Sequence, residues 1–198
     1  MTDESQSQFL PWYFQREDES PDTWFYLEPR LVVHIDDFAI ASIGKYLAAN
    51  IAEDTVILDL LSSWRSHFPE GFRKRALVGL GLNAVEMEEN AQLDKQVVKD
   101  LNDDPTLPFT DGYFDAVVIT VSIQYLTNPV DVFHEVNRVL KPGSRFHVIF
   151  SNRMFPTKAV YIWRDLDDDG HQHLVNAYFE ESGGWSDVET HVLGESHP

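Results

Sequence analysis

The stretch FDAVVITVSIQYLTNPVDVFHEVNRVLKPGSRFHVIFSN, residues 114–152, decides the fold. Its first segment, FDAVVITVS, is a nearly continuous apolar run, the pattern of a parallel strand covered by helices on both faces. PVDVFHEVNRVL follows, with Val130, Phe133, Val136, Val139 and Leu140 on one side of a helix. KPG is a helix stop, and RFHVIFSN reads as the next strand. Strand, helix, strand is the unit of a parallel sheet, and the rest of the chain is read against it.

The same alternation runs upstream. TVILDLL (55–61) and RALVGLGL (75–82) read as strands, NAVEMEENAQL (83–93) as a helix opening at Asn83, and QVVKDL (96–101) as a short third strand. In LVVHIDDFAIASIGKYLAANI, Ile40, Ile43, Leu47 and Ile51 stand at helical spacing with Asp36 or Asp37 near the positive end, which predicts a helix over 37–50. Downstream, PTKAVYIW (156–163) predicts a short helix, DGHQHLVNAYFEES (169–182) a longer one ended by Gly183 and Gly184, and WSDVETHVL (185–193) a late strand. The pattern predicts an α/β protein with a doubly wound, mostly parallel sheet and helices on both faces. In such sheets a ligand lies beyond the carboxyl ends of the strands, where the strand order reverses.

The composition narrows the partners. With 33 acidic residues against 15 Lys and Arg, the formal net charge is −18, which argues against nucleic acid and anionic membrane. The absence of cysteine excludes disulfides, thiolate nucleophiles and cysteine-bound metal centres. The acidic start MTDESQSQFL has no leader pattern and no segment is an apolar span, so a cytoplasmic protein without a membrane partner is expected. The aromatic FLPWYF (9–14) is expected to pack back on the domain. Trp12, Tyr13, Phe14, Trp24, Phe25 and Tyr26 are expected either in the core or against an apolar ligand. DLDDDG (165–170) opens like a calcium loop, but Asn176 stands where a bidentate Glu is needed, and His171 and His173 fall on different helix faces; no metal site is expected.

The strand ends hold the candidate chemistry. Asp59, the 79–83 segment, Asp100 with Leu101 and Asn102, and Ser122 to Tyr125 gather at one edge if the strands are parallel. Around an adenosyl group, a carboxylate such as Asp59 can receive an ammonium through water and Asp100 can accept from an exocyclic amine. Leu80, Leu82 and Leu101 can sandwich an adenine, and Gly81 lets a loop approach. The alternative for each strand-terminal Asp is a cap on the following loop or helix.

These residues resemble the class I S-adenosylmethionine-dependent methyltransferases, particularly the ubiquinone and menaquinone biosynthesis group, from about Ile57 to Asn152. The block LPFTDGYFDAVVITVSIQYLTNPVDVFHEVNRVLKPGSRFHVIF carries the likeness, with Leu-Pro-Phe, Phe-Asp, Glu135 and Arg138 in the helix, and Leu-Lys-Pro-Gly. The resemblance implies a Rossmann-like sheet, S-adenosylmethionine as cofactor and methyl transfer to a small molecule. The cofactor-binding candidates are then Asp59, Ser62, Ser63, Leu80, Gly81, Leu82, Asp100, Leu101, Ser122 and Gln124. The likeness fails at two places. The glycine-rich first motif is matched by Asp59, Leu60, Leu61, Ser63 and Arg65, and the ribose-binding acid that ends the second strand by Gly81. Ser62 and Ser63 offer hydroxyls in place of the glycine contacts, and Glu86 or Asn83 is a substitute for the ribose acid. A little-characterised subgroup with a Ser-Ser-Trp first motif resembles nearly the whole chain. It implies a further final strand, so either the chain is truncated or the sheet is short by one.

Three residues are candidates for proton handling near the sulfonium: His34, His67 and Tyr125. Tyr26, Arg30, Arg153 and Lys158 are candidates for the substrate, the cations for a carboxylate or phosphate. The whole chain, 1–198, is read as one methyltransferase-like domain: an N-terminal cap and helix (1–52), a nucleotide-binding core (53–152) and a substrate-side region (153–198). The rival reading is a domain of this fold that has lost catalysis and serves as a binding or regulatory protein. The number of copies in the assembly is left open.

Overall fold

A computed structural model describes residues 7–194. Five parallel strands form one sheet in the order β3-β2-β1-β4-β5, with β1 at Val56–Leu60, β2 at Ala76–Gly81, β3 at Lys95–Val98, β4 at Phe114–Thr120 and β5 at Leu140–Ile149. The order turns back between β1 and β4, so a crevice opens above their carboxyl ends. Alternate residues of each strand feed two cores. Ile57, Leu77, Ala116 and Val118 face helix α2 (Asp37–Asn50) with Ile43 and Leu47, while Leu58, Val78, Val117 and Ile119 join the core that contains residues of α4 (Pro129–Val139) and α6 (Asp168–Ser182). Covering on both faces is what makes β1, β2 and β4 apolar nearly throughout.

The helices start where their caps are. The Asp36 carboxylate accepts from the Ala39 N–H at 2.8 Å and opens α2; Asn83 does the same for Glu86 at 3.0 Å, and Asp167 for Gly170 at 2.9 Å. Asp167 of the DLDDDG segment is therefore an N-cap. His171 stacks on Trp163 with ring centres 4.0 Å apart, and His173 bonds the Asp169 carbonyl. α4 ends at Val139, ahead of KPG; Leu140, read as part of the helix, opens β5, which takes in KPG with a register irregularity opposite Phe114 and Ala116.

Three expectations are corrected. Helix α3 is only Ala84–Glu88, because the Asn90 amide is pulled toward the first loop, donating to the Ser63 carbonyl and the Ser66 hydroxyl, both at 2.9 Å. In 156–163 only the end is helical: α5 is Tyr161–Arg164. Residues 185–193 form no strand. Asp187 has φ +54°, which interrupts an extended run, and Trp185 packs on Phe146 and Phe179. Any strand beyond residue 194, like the first six residues of the acidic start, lies outside the described residues.

The N-terminal aromatics divide. Phe9 and Phe14 pack on Tyr178, as expected of a segment folded back on the domain, whereas Trp12 and Trp24 are exposed. A turn of helix, α1 (Asp22–Phe25), then leads into a segment that roofs the crevice.

Candidate functional site

A cavity of about 500 Å³ lies at the carboxyl ends of β1, β2 and β4, under the roof formed by the N-terminal segment. Its floor is the loop after β1. Leu61 has φ +54°, the left-handed conformation glycine adopts freely and a leucine only at a cost of about 1 kcal/mol. The turn of a glycine-rich loop is thus present without the glycine. Leu61 packs partly against the α4/α6 core while lining the cavity.

Hydrogen bonds hold the rest of this loop, which contains no helix. The Ser62 N–H donates to the Leu80 carbonyl at 2.8 Å, and the Ser62 and Ser66 hydroxyls both donate to one oxygen of Asp59, at 2.7 and 2.5 Å. The Ser63 hydroxyl donates to Glu86 Oε2 at 2.6 Å. The Trp64 indole donates to the Val32 carbonyl at 2.9 Å and pins the roof to the loop. These bonds set the Ser62 carbonyl directly on Gly81: a Cβ built there would lie 2.1 Å from the Ser62 oxygen. No side chain fits at the end of β2, the position where the resemblance implies a ribose-binding acid.

Asp59 is buried, and burial pushes its carboxyl up to about 6 against the downward pull of the Ser66 and Ser62 hydroxyls. Raised above its unfolded value, the folded carboxyl binds the extra proton between about pH 4 and 6. Its burial therefore costs nothing below that window and its full penalty above it, up to about 3 kcal/mol. Asp59→Asn keeps one oxygen to accept from both serines. The variant is expected to be more stable than the wild type at pH 8 and to lose that advantage by pH 4, as measured by denaturant unfolding across pH. An unchanged difference across pH would refute it.

His67 has the opposite electrostatics. Burial, aided by Arg65, lowers it to about 4, so it is neutral at pH 7, and its Nδ1 is buried without a hydrogen-bond partner. Tyr125 accepts from the Phe155 N–H at 2.8 Å, and burial raises its hydroxyl above the ordinary tyrosine value. Both line the cavity, as do His34, Tyr26, Arg30 and Arg153. His34 is exposed and meets the edge of Phe155 at 5.0 Å.

The remaining candidates divide. Leu82, Asp100, Leu101 and Ser122 line the cavity with Asp59, Ser62 and Ser63. One Asp100 oxygen accepts from the Asn102 N–H at 2.9 Å, and the Ser122 hydroxyl donates to the Thr120 carbonyl. Four do not reach the cavity. Leu80 is in the core and Gly81 lies under Ser62. Gln124 is fully buried, its amide donating to the Val121 and Arg153 carbonyls. Lys158 is fully buried, tied to the Ser20 carbonyl and to Asp18 and Asp22. Of the two substitutes for the ribose acid, Asn83 is spent on its cap and on the Tyr26 carbonyl at 2.7 Å. Glu86 stays at the cavity, accepting from Ser63 and from the Arg30 N–H, with accepting positions to spare.

Sequence reasoning missed Ser66 and Phe155, and it placed Asn102 at the site's edge without giving it a role. Asn102 donates to Asp22 and to the Tyr125 carbonyl and accepts from the Thr127 N–H, joining roof to floor. Its position after Asp100 was the available signal. Nothing in the spacing of Ser66 or Phe155 marks them.

Residues 71–148 match a family model described as a methyltransferase domain. The chain is 40% identical over 72 residues to the ubiquinone/menaquinone biosynthesis C-methyltransferase UbiE of Burkholderia mallei, covering 35% of this chain and 30% of that one. It is 32% identical over 79 residues to the biotin biosynthesis bifunctional protein BioHC of Teredinibacter turnerae, 39% of this chain and 14% of that one. It thus spans less than a third of the length of these curated relatives. Among solved structures, a SAM-dependent methyltransferase from Aquifex aeolicus shares the fold at a TM-score of 0.52 and 15% identity, over 74% of this chain and 79% of that one. Matched sequence, strand order and shared fold agree: residues 71–148 are similar to a methyltransferase domain, and the chain has the Rossmann-like fold of a SAM-dependent methyltransferase.

Proposed function

We propose that the protein transfers a methyl group from S-adenosylmethionine to a small-molecule acceptor. The observation that carries this is the cavity itself, open at the reversal of strand order although the loop beneath it has no glycine. The residues present fit the cofactor. Asp100, with its second oxygen unengaged, and Leu82 and Leu101 would take the adenine, Glu86 the ribose hydroxyls, and the Asp59 and Ser63 end the amino acid. When bound, the cofactor supplies a sulfonium methyl, an excellent electrophile.

The chain's part is then placement and desolvation. The roof, fastened by Trp64 to Val32, covers part of the crevice. His67, neutral at pH 7, stands as a proton acceptor for a nucleophilic oxygen or nitrogen, with His34 and Tyr125 as the other candidates. Tyr26, Arg30 and Arg153 form the acceptor side. One domain spanning the chain and a cytoplasmic setting belong to the same reading; no helix among the described residues is long and apolar enough to cross a membrane.

A second reading, a binding protein that has lost catalysis, is favoured by one feature: the Ser62 carbonyl occupies the place of the ribose acid. Calorimetry with S-adenosylhomocysteine separates the two. Micromolar-range binding is expected, weakened at least tenfold, about 1.4 kcal/mol, in Asp100→Ala. No binding at millimolar ligand would overturn the enzyme assignment.

A further inference from the structure

Nine arginines stand against 33 acidic residues in this chain. Four of them, Arg16, Arg73, Arg138 and Arg164, form ion pairs with carboxylates. Among the described residues the other five have no carboxylate within ion-pairing distance, and three of those five, Arg30, Arg65 and Arg153, line the same cavity. A surplus of acids makes an unpaired arginine the exception, so their convergence on one opening is a property of the site. Arg65 and Arg153 are exposed at the cavity.

Arg30 is different in kind. It is half-buried under the roof, its guanidinium carbon 4.3 Å from the centre of the Phe25 ring, 5.4 Å from Phe155 and 5.7 Å from Tyr26. Its Nη1 is buried without a hydrogen-bond partner, and among the described residues no nitrogen of the side chain donates to a protein acceptor. Three aromatic rings surround the guanidinium, and its nitrogens have no acceptor among the described residues. Its backbone is fixed as well, through the 2.7 Å bond from the Arg30 N–H to Glu86. A guanidinium enclosed by rings, lining a cavity and without a protein acceptor suits bonding to an oxyanion.

The position of the arginine points to the acceptor as the source of that anion. Phe155 follows β5, and its N–H is held by the Tyr125 hydroxyl beyond the end of β4. The Arg30 guanidinium therefore stands over the ends of β4 and β5, while Asp59 and the serine loop lie after β1. We propose that the acceptor is an anion, its carboxylate or phosphate held on the edge of Arg30 between Phe25 and Phe155, with Arg65 and Arg153 drawing it to the opening. This rests on the methyltransferase reading of the same cavity, and it deepens that reading by naming the substrate class.

The test uses the full chain with benzoate and phenyl phosphate as probes, by calorimetry with and without saturating S-adenosylhomocysteine. At least one probe is expected to bind the wild type, at least tenfold more weakly to Arg30→Gln, and unchanged to Arg75→Gln, an exposed arginine outside the cavity. S-adenosylhomocysteine is expected to bind Arg30→Gln within threefold of wild type. If Arg30→Gln fails to fold, Arg30→Lys keeps the charge without the fork and is expected to bind the probe several-fold more weakly. Binding of neither probe to the wild type, or binding insensitive to the Arg30 variants, would overturn the proposal. So would a tenfold loss of S-adenosylhomocysteine affinity with 5′-methylthioadenosine unaffected, because Arg30 would then hold the cofactor's own carboxylate. Arg30-dependent probe binding in a wild type that ignores S-adenosylhomocysteine would support the anion site and overturn methyl transfer alone.

Discussion

Gly81→Asp is expected to destabilise the protein by about 3 kcal/mol or more and not to improve cofactor binding, although it places an acid where the resemblance implies one for the ribose. The Cβ would lie 2.1 Å from the Ser62 carbonyl oxygen and 3.3 Å from Met87 Sδ. Overpacking against a movable side chain costs about 1–3 kcal/mol, and here the opposing atom is backbone. That backbone has little room to retreat. The Ser62 N–H is bonded to the Leu80 carbonyl and its hydroxyl to Asp59, so a shift of the loop breaks both bonds and uncovers a buried carboxylate. Gly81→Ala isolates the steric part and is expected to account for most of the loss. Denaturant unfolding of the two variants, with S-adenosylhomocysteine calorimetry on whichever folds, is the measurement. A Gly81→Asp variant as stable as wild type would show that the Ser62 loop is not seated as described. The two departures from the pattern that the resemblance implies meet at one point: the Ser62 carbonyl lies against Gly81, while Glu86, from the next helix, lines the cavity.

What could be read from residues alone was whatever local spacing determines. Helix α2 begins at Asp37 and ends at Asn50 as read, because a capping aspartate and a row of Ile and Leu at helical spacing are signals within one segment. Strands β1, β2 and β4 were legible because burial on both faces leaves almost no polar residue in them, whereas β3 and β5, partly exposed, were legible only through their alternation with helices. The late strand at 185–193 failed because its apolar residues alternate only approximately and Asp187 breaks the extended backbone, a conformation that an aspartate does not announce. The site was legible as a place more than as a set of contacts. Asp59, Asp100 and Tyr125 stand at strand ends and so reach the cavity, whereas Gln124, next to Tyr125, turns inward to bond two carbonyls. Lys158 was read as a free cation because its partners lie about 140 positions away, beyond any local pattern.

Lys158→Met is the second variant with a large expected effect, a loss of about 3 kcal/mol accompanied by loosening of the roof. The Lys158 side chain is fully buried. Its ammonium donates to the Ser20 carbonyl at 2.6 Å and the Asp18 carbonyl at 3.2 Å, and lies 3.2 Å from Asp22 and 3.3 Å from Asp18. Breaking a buried ion pair on one side costs about 3–5 kcal/mol, mostly because the partner charge is stranded. The low end applies, since Asp22 keeps the two bonds from Arg16, at 2.7 and 2.8 Å, and the Asn102 amide at 2.8 Å. Methionine fills the same volume, which separates the lost charge from a cavity. Asp22 opens α1 and lines the cavity, so the pair joins the 156–160 turn to the segment that roofs the site. Cleavage by a protease within residues 16–34 is therefore expected to quicken in the variant, alongside the fall in unfolding free energy. A variant within about 0.5 kcal/mol of wild type, with the roof equally resistant, would refute the role of Lys158 as anchor. A stable variant with a fast-cleaved roof would instead place the anchor's effect on closure of the cavity, and Arg30, carried by that roof, would lose its place among the aromatic rings with it.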